Sequence, residues 1–443
     1  MGVSTQPKEY DAVVIGSGAG GVSAAARLAH HGYTTLLVES RDRIGGRAST
    51  IEKNGFMLNT GAVALEFGGT LQETCEFVGA PYDVRKLDPP TVYRVRRHDM
   101  SLGGGGWVRL IESVTKKGGG LIGGLKDARN GALPDLSVST KDWLNQYTRN
   151  KTIHALFRNL CGAIFSVNSD ELPASAFLGY FMQKSAFKNF GFSPTGTIGV
   201  MQGLADTVVR NGGDVWLNSP VVQLNVKDGA VRSATIEHDG KEMIVEADVF
   251  ISNAGPAATV QMAGRENFDD EYLTLIDKRL TPTAIFAVHI ASTKPLSKYP
   301  GIIAFGLTQR LCNLCNLTAT CPELAPPGQY LAVAYSVPKP AIGDFDEKTE
   351  IALTIQDLRD QYKNFDDYAR VLEVEVRRGD WPGQRSGHGY ELPRETPLPN
   401  LWNVGDAVRE FPNGGTEGCS ETGKLVVEQV LASHAPRQTA SAR

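Results

Sequence analysis

The sequence has no run of roughly 18 apolar residues, the length that a membrane-spanning helix requires. It also has no basic excess: its formal net charge is -4, whereas nucleic acid binding favours a basic face. The six cysteines have no regular spacing, and nothing at the start resembles a secretion signal. We therefore expect a cytoplasmic protein that does not bind nucleic acid.

The length and the glycine content of the chain indicate its general organisation. At 443 residues the chain is too long for one hydrophobic core, so two domains are expected. Many of the 48 glycines stand in clusters, which favours tight turns and backbone held close to a ligand.

The N-terminal part of the chain has the pattern of a strand, a helix and a second strand. Tyr10–Gly16 is a short apolar run, Ser23–His31 is rich in alanine, and Thr34–Glu39 is again apolar. Two buried strands joined by a helix within about thirty residues predict a βαβ unit with a right-handed crossover.

A glycine-rich turn joins the first strand to the helix. Gly16, Gly18 and Gly21 fit the pattern G-x-G-x-x-G, in which the glycines allow a tight turn, a close approach to a diphosphate and close helix packing. The helix N-terminus offers free N–H groups to that diphosphate. Glu39, at the end of the second strand, is suited to accept hydrogen bonds from ribose hydroxyls. This combination predicts a dinucleotide site.

The next residues indicate which dinucleotide is bound. The run from Asp42 to Ala48, DRIGGRA, resembles the second signature of the amine oxidase and phytoene desaturase superfamily of flavoproteins. The resemblance implies that FAD is the cofactor and that the turn formed by Gly45, Gly46 and Arg47 lies against its diphosphate and flavin side.

Two distant segments extend this resemblance along the chain. Val221 matches the position whose backbone pairs with adenine, and Asp406, in LWNVGDA, matches the carboxylate that binds the ribityl chain or diphosphate. A helix from about Glu417 is aimed, by resemblance, at the flavin pyrimidine ring. The complete set of expected cofactor residues is Gly16, Gly18, Ala19, Gly20, Gly21, Glu39, Ser40, Arg41, Gly45, Gly46, Arg47, Val221, Asn253, Gly405, Asp406, Thr416 and Glu417.

The resemblance also implies a fold. We expect an α/β protein whose Rossmann-like FAD-binding domain combines a parallel sheet with a β-meander. A substrate domain of α+β type would add an antiparallel sheet and a helical cap. The expected boundaries are residues 1–62, 196–262 and 396–443 for the FAD-binding domain, and 63–195 and 263–395 for the substrate domain.

Departures from the amine oxidase pattern bear on the reaction. One member of the family's aromatic pair beside the flavin is replaced by Gly415, with Gly414 beside it, and no cysteine suited to covalent flavin attachment stands between Cys321 and Cys419. We therefore expect a dehydrogenase or desaturase that transfers a hydride from a C–C or C–O bond of a small apolar substrate, of alicyclic, lipid or isoprenoid-like type, to flavin N5. The electron acceptor is open: oxygen, a quinone or another redox partner.

Three other functions remain open at this point. One is flavin amine oxidation, and a second is isomerisation that uses reduced flavin without net redox change. The third is a binding protein that has lost flavin, as in Rab escort and GDP-dissociation-inhibitor proteins. The glycine motif, Glu39 and Asp406 speak against that third function.

Few residues offer acid–base chemistry. The candidates are His388 and Tyr390, just before the closing strand, and Glu410 and Glu417, which flank the glycine pair. Each also has a purely structural interpretation, as a loop histidine, a packed tyrosine or a solvated carboxylate.

Two further features have alternative interpretations. Cys312, Cys315 and Cys321 lack a fourth metal ligand nearby, so we expect a strand with buried thiols and no metal site. The glycine-rich, basic stretch 100–130 is either a surface loop or a shallow membrane contact. The contact would use Trp107, Val108, Leu110, Ile111, Lys116, Lys117, Leu121 and Ile122.

Overall fold

A computed structural model describes residues 8–100, 133–182, 189–410 and 413–437. The strands are β1 Lys8–Ile15, β2 Thr35–Val38, β3 Thr50–Lys53, β4 Phe56–Asn59, β5 Leu65–Glu66, β6 Arg85–Lys86, β7 Thr91–Val95, β8 His98–Met100, β9 Phe190–Phe192, β10 Asp214–Trp216, β11 Val221–Lys227, β12 Ala230–His238, β13 Lys241–Ser252, β14 Ile285–Ser292, β15 Ile302–Phe305, β16 Leu311–Cys315, β17 Tyr330–Ser336, β18 Ala369–Arg377 and β19 Leu401–Asn403. The α-helices are α1 Ala19–His30, α2 Thr70–Val78, α3 Thr140–Asn145, α4 Lys151–Phe165, α5 Ala174–Met182, α6 Gly196–Arg210, α7 Pro256–Ala263, α8 Asp270–Arg279, α9 Glu347–Gln361, α10 Phe365–Tyr368 and α11 Gly415–Ser433.

The first sheet combines parallel strands with a meander, as the sequence predicts. Its order is β10-β2-β1-β13-β12-β11, and β19 pairs with the C-terminal half of β13. The strands β10, β2, β1, β13 and β19 run parallel, whereas β11, β12 and the first half of β13 form antiparallel pairs. The predicted α/β fold class is confirmed.

Both faces of the first sheet are covered, because its central strands are apolar on both sides. On β1, Ala12 and Val14 pack into a core with α1, α6 and α11, whereas Val13 and Ile15 pack into a second core with α8. The helices α1 and α11 approach closely: a Cβ at Gly423 would lie 2.6 Å from the Gly20 carbonyl oxygen. This packing places the N-terminal end of α1 against the first half of α11.

The second sheet has the order β18-β14-β17-β16-β15-β7-β8. Its pairs are antiparallel except that β7 and β15 run parallel, because β7 enters from an earlier segment of the chain. The helices α3, α4 and α5 form the predicted cap and share a core with residues such as Tyr93 and Ala304 of this sheet.

At three places a segment packs against the sheet of the other expected domain. Helix α2, expected in the substrate domain, packs in the core of α1 and α6 through Leu71 and Cys75. Helix α8 packs on the first sheet through Tyr272 and Ile276. Conversely, the hairpin of β3 and β4 packs against the second sheet. The division into two domains, with its boundaries, stays a prediction.

Two other expectations concern particular segments. Cys312 and Cys315 lie on β16 and are buried with Cys321, which confirms the prediction of a strand with buried thiols. The expected membrane-contact stretch lies, apart from its first residue, outside the described residues. Within the described ranges, no helix has the length and apolarity needed to cross a bilayer.

Candidate functional site

A cavity of about 720 Å³ lies between the two sheets. Of the expected cofactor residues, all but Gly20, Gly21 and Glu417 line it. They are Gly16, Gly18, Ala19, Glu39, Ser40, Arg41, Gly45, Gly46, Arg47, Val221, Asn253, Gly405, Asp406 and Thr416. Residues as distant in sequence as Ile15 and Cys419 thus line the same cavity.

The glycine turn of residues 16–21 is packed so tightly that side chains would not fit. A Cβ at Gly21 would lie 2.0 Å from the Gly16 carbonyl oxygen, and one at Gly18 would lie 2.4 Å from the Asn253 amide. With its amide oriented to satisfy both neighbours, Asn253 accepts from the Gly18 N–H at 3.1 Å and donates to the Val404 carbonyl at 3.3 Å. Asn253 therefore connects the glycine turn to the backbone of Val404 through hydrogen bonds.

Glu39 is buried at the end of β2 and organises the loops around it. Its carboxylate accepts hydrogen bonds from the Ser17 N–H at 2.9 Å, from the Ser17 hydroxyl at 2.6 Å and from the Arg41 N–H at 3.0 Å. Its backbone N–H donates to the Trp216 carbonyl, and its carbonyl accepts from Ser219. The expected ribose-binding carboxylate is thus fixed in place at the cavity wall.

Two helices open on the cavity with N-termini that no side chain caps. Helix α1 follows Gly18 and α11 follows Gly414, and neither N-cap residue provides a side-chain hydrogen bond. The first N–H groups of a helix lack partners within the helix and concentrate partial positive charge. One dinucleotide with a diphosphate and an electron-accepting ring fits this pair of helix ends.

Arg47 and Asp406 form an ion pair in the wall of the cavity. Arg47 Nη1 donates to Asp406 Oδ2 at 2.9 Å and Nη2 to Oδ1 at 2.5 Å, and the Arg385 N–H donates to Oδ2 at 2.8 Å. Burial alone would raise the pKa of Asp406, but the Arg47 guanidinium outweighs it and holds that pKa well below its ordinary value. Asp406 is therefore ionised and fixes the Gly-Gly-Arg turn to the closing strand.

The remainder of the cavity is mostly apolar. Its floor is one face of the second sheet, where alternate residues of neighbouring strands lie side by side: Thr91 and Tyr93, Ile302 and Ala304, Asn313 and Cys315. Leu160, Ala163 and Ile164 of α4 also line it, at the spacing of one helix face. This region is suited to an apolar ligand.

His388 is the one catalytic candidate that the structure brings to the cavity. It is buried, its ring meets Phe165 edge-on at 4.8 Å, and a Cβ at Gly414 would lie 3.1 Å from its Nε2. Burial, with the nearby Arg409, holds the pKa of His388 well below its ordinary value. The imidazole is therefore neutral at neutral pH, beside the start of α11.

The stability of the protein is expected to fall as pH decreases from about 7 to about 5. Burial also lowers the pKa of His289. Below the ordinary histidine pKa, the unfolded chain therefore binds protons at His388 and His289 that the folded chain does not bind. Each group removes up to about 1.4 kcal/mol per pH unit below the ordinary pKa of about 6.5. Urea unfolding at several pH values measures the slope. His388→Gln should reduce it, and exposed His98→Gln should not; equal slopes in all three proteins would contradict the expectation.

None of the other three catalytic candidates lines the cavity, and their catalytic roles stay predictions. Glu410 is exposed and pairs with Arg394. Tyr390 is half-buried outside the cavity lining. Glu417 turns away to the N-terminus of α2, where its carboxylate accepts hydrogen bonds from the N–H groups of Thr70 and Leu71.

Glu417→Ala is therefore expected to lower the free energy of unfolding by about 1–2 kcal/mol, the usual cost of removing a helix cap. The reason is that two N–H groups of α2 lose a buried acceptor. Denaturant unfolding of the holoprotein measures the loss. Exposed Glu428 on the same helix provides the matched control, Glu428→Ala, and an equal effect of both substitutions would refute the capping role.

Sequence reasoning missed the cavity residues of the segment between β18 and β19. Asp380, Trp381, Pro382, Gly383, Gln384 and Arg385 line the cavity beside Arg41 and Arg47. The one available signal was the proximity of this segment in sequence to the closing strand. Within the described ranges, no cluster of three or more His, Cys, Asp or Glu side chains could hold a metal ion. The expected absence of a metal site stays a prediction.

Comparisons with known proteins agree with this geometry. Residues 19–431 match the family described as flavin containing amine oxidoreductase. A 15-cis-phytoene desaturase of Solanum lycopersicum is 22% identical and aligns with 96% of this chain and 78% of that protein. An oxidoreductase structure from Methanosarcina mazei has a TM-score of 0.83 at 25% identity, covering 94% of this chain and 100% of the other. Putrescine oxidase bound to putrescine has a TM-score of 0.71 at 15% identity, covering 96% and 100%, a likeness in fold alone.

Proposed function

The chain belongs to the family of flavin-containing amine oxidoreductases, and on this premise we propose that it oxidises a C–C or C–O bond of an apolar substrate. It is an FAD-dependent oxidoreductase, so the proposal concerns the bond and the substrate class. The flavin-free binding function is overturned by this family membership.

The apolar half of the cavity is the observation that supports this substrate class. Beyond the cofactor residues, five charged residues line the cavity: Glu66, Arg377, Asp380, Arg385 and Arg409. Asp380 and Arg385 belong to the segment beside Arg47, Arg409 donates to the Asp406 carbonyl, and Arg377 donates to Glu375 at 2.6 Å. Gly415, where the amine oxidase pattern has one of its two aromatic side chains, and the neighbouring Gly414 leave the start of α11 without side-chain bulk. A flat or long apolar molecule fits such an opening better than a hydrated cation does.

Bound FAD supplies a hydride acceptor, and such chemistry requires the protein chiefly to position the reacting carbon and exclude water. The second sheet and α4 supply the apolar surface that orients the substrate. The N-terminal end of α11 favours negative charge in the cavity. His388 stays neutral and offers one hydrogen-bond donor and one acceptor.

The relatives offer two precedents for the reaction. The Solanum lycopersicum protein is by name a desaturase of 15-cis-phytoene, which supports oxidation of an apolar molecule. Putrescine oxidase is by name an amine oxidase, but its likeness to this chain is in the fold. Amine oxidation is therefore the alternative reaction that the flavin-reduction experiment below distinguishes from the proposed one.

Anaerobic flavin reduction tests the proposal. The holoprotein is mixed with alcohols and amines that share the same carbon skeleton, and with polyenes, cyclic ketones and their saturated counterparts. Loss of the absorbance of oxidised flavin is followed over time. We expect rapid bleaching by an alcohol, a cyclic ketone or a polyene and slow bleaching by the matched amine. The reverse order would establish amine oxidation and refute the proposal.

A variant of the cavity floor provides an internal control. Ala304 is buried, lines the cavity and lies on the second sheet, away from the expected cofactor residues. Ala304→Leu should slow reduction by a genuine donor while leaving FAD content unchanged, because the added atoms occupy substrate space. Unchanged reduction would show that the donor reacts elsewhere.

We also propose that residues 100–130 contact a membrane surface and so admit an apolar substrate. The support is the sequence pattern of apolar side chains with Lys116 and Lys117. Co-sedimentation with anionic liposomes should be lost when both lysines are replaced by glutamate. Persistent binding of that variant, or none by the wild type, would refute the contact.

A further inference from the structure

The segment that joins β18 to β19 reaches from the second sheet to the mouth of the cavity. Its Trp381 is half-buried, and the Arg41 guanidinium lies over the indole ring, 3.8 Å from the ring centroid. Arg41 belongs to the first sheet's side of the cavity, and its N–H donates to the Glu39 carboxylate. The contact therefore bridges the two sides at the end where Glu39, Ser40 and Val221 lie.

Hydrogen bonds to both sides hold this segment in position. The carbonyls of Pro382 and Gly383 accept from Arg47 Nη1 at 3.2 Å each. On the other side, the Gly383 N–H donates to the Thr283 carbonyl at 2.7 Å, just before β14. Trp381 is consequently presented by backbone that is anchored immediately beside it.

The charges around the segment favour an anion. Arg41, Arg47 and Arg385 line the cavity with two carboxylates, Asp380 and Asp406, so one positive charge is in excess around the segment. Asp406 accepts from the Arg47 side chain and from the Arg385 backbone N–H. Burial and the neighbouring Arg47 lower the pKa of Arg385, so a negative group placed beside it would be stabilising. A diphosphate is a group of this kind.

We propose that Trp381 and Arg385 are FAD-site residues supplied from the side of the second sheet, and that the Arg41–Trp381 contact is a clasp over the adenosine end of the site. The clasp opens before FAD leaves. Arg385 adds charge attraction to the diphosphate. Neither role depends on the substrate, so both can be tested without any turnover.

The rate of FAD dissociation from the holoprotein tests the clasp. After dilution, release is followed by flavin fluorescence and checked by ultrafiltration. Trp381→Leu and Arg41→Gln should each accelerate release about threefold, since Arg41 is exposed and a cation–π contact at an exposed site is worth about that factor. The double variant should be no faster than the faster single variant, because both substitutions remove the same contact.

A second cation–π contact in the chain provides the matched control. Arg378 lies over Phe345 at 5.4 Å, and neither residue lines the cavity. Arg378→Gln and Phe345→Leu should leave the release rate within twofold of the wild type, and Trp381→Phe should preserve most of the slow release. Arg385→Gln should accelerate release and weaken its dependence on salt. Wild-type rates in Trp381→Leu, or equal acceleration in the control variants, would overturn the proposal.

Discussion

Asp406→Ala is expected to lower the free energy of unfolding by about 3 kcal/mol and to give protein with little bound FAD. Removing one partner of a buried ion pair costs about this much, since it leaves the other charge buried without compensation. Here Arg47 is the charged residue that is left buried without its partner, and the Arg385 N–H also loses its acceptor. The Gly-Gly-Arg turn and the segment before β19 are thereby released from each other. Denaturant unfolding and the flavin content of purified protein measure the two effects.

The double variant Arg47→Met with Asp406→Leu separates stability from cofactor binding. Replacing both members of a buried pair by apolar residues is often neutral or stabilising. The double variant should therefore recover most of the stability that Asp406→Ala loses, while its FAD content stays low because both cavity-lining charges are gone. If Asp406→Ala unfolds like the wild type, or if the double variant is no more stable than Asp406→Ala, the pair does not have this structural role.

The cofactor half of the fold could be predicted because its signals are local. The βαβ unit is defined by neighbouring residues: β2 spans Thr35–Val38 against an expected Thr34–Glu39, and α11 begins at Gly415, two residues before the expected Glu417. Glycines that permit a positive φ, such as Gly16 at +89°, are recognisable from sequence because other residues rarely adopt that conformation.

The pairing within the site could not be predicted in the same way. Sequence reasoning gave Arg47 and Asp406 separate roles toward the cofactor, whereas the structure joins them to each other across 359 residues. A local sequence pattern does not indicate which charged residues pair with each other between two sheets. The same holds for Trp381, whose partner Arg41 lies at the other side of the cavity.

The positions of the catalytic candidates relative to the cavity could not be predicted for a related reason. His388, Tyr390 and Glu410 lie between β18 and α11, where long irregular stretches have no periodicity from which to infer the direction of a side chain. Glu417 lies on a helix, but its carboxylate turns to the neighbouring α2, a contact set by the packing of α2 against α11. Only His388 proved to line the cavity.

Gly21→Ala is expected to have the second large effect, a loss of about 3 kcal/mol in stability together with loss of FAD. The new Cβ would lie 2.0 Å from the Gly16 carbonyl oxygen and 3.0 Å from the Asn253 Cβ. The Gly16 oxygen is backbone and cannot rotate away, so α1 must shift from β1, and overpacking of this kind costs about 1–3 kcal/mol or more. The shift also moves the uncapped N–H groups of α1 away from the cavity. Unfolding measurements and flavin content test both consequences.

Gly20→Ala adds the same methyl group one residue earlier on the same helix and serves as the control. Its nearest neighbours would be the Cys419 oxygen and the Gly405 nitrogen, each at 3.0 Å, so the required adjustment is a few tenths of an ångström. We expect Gly20→Ala to retain more FAD and more stability than Gly21→Ala. The two substitutions change helix propensity and local backbone freedom alike. Equal losses would therefore show that one of these properties determines the effect, and that the close contact between α1 and the Gly16 carbonyl does not.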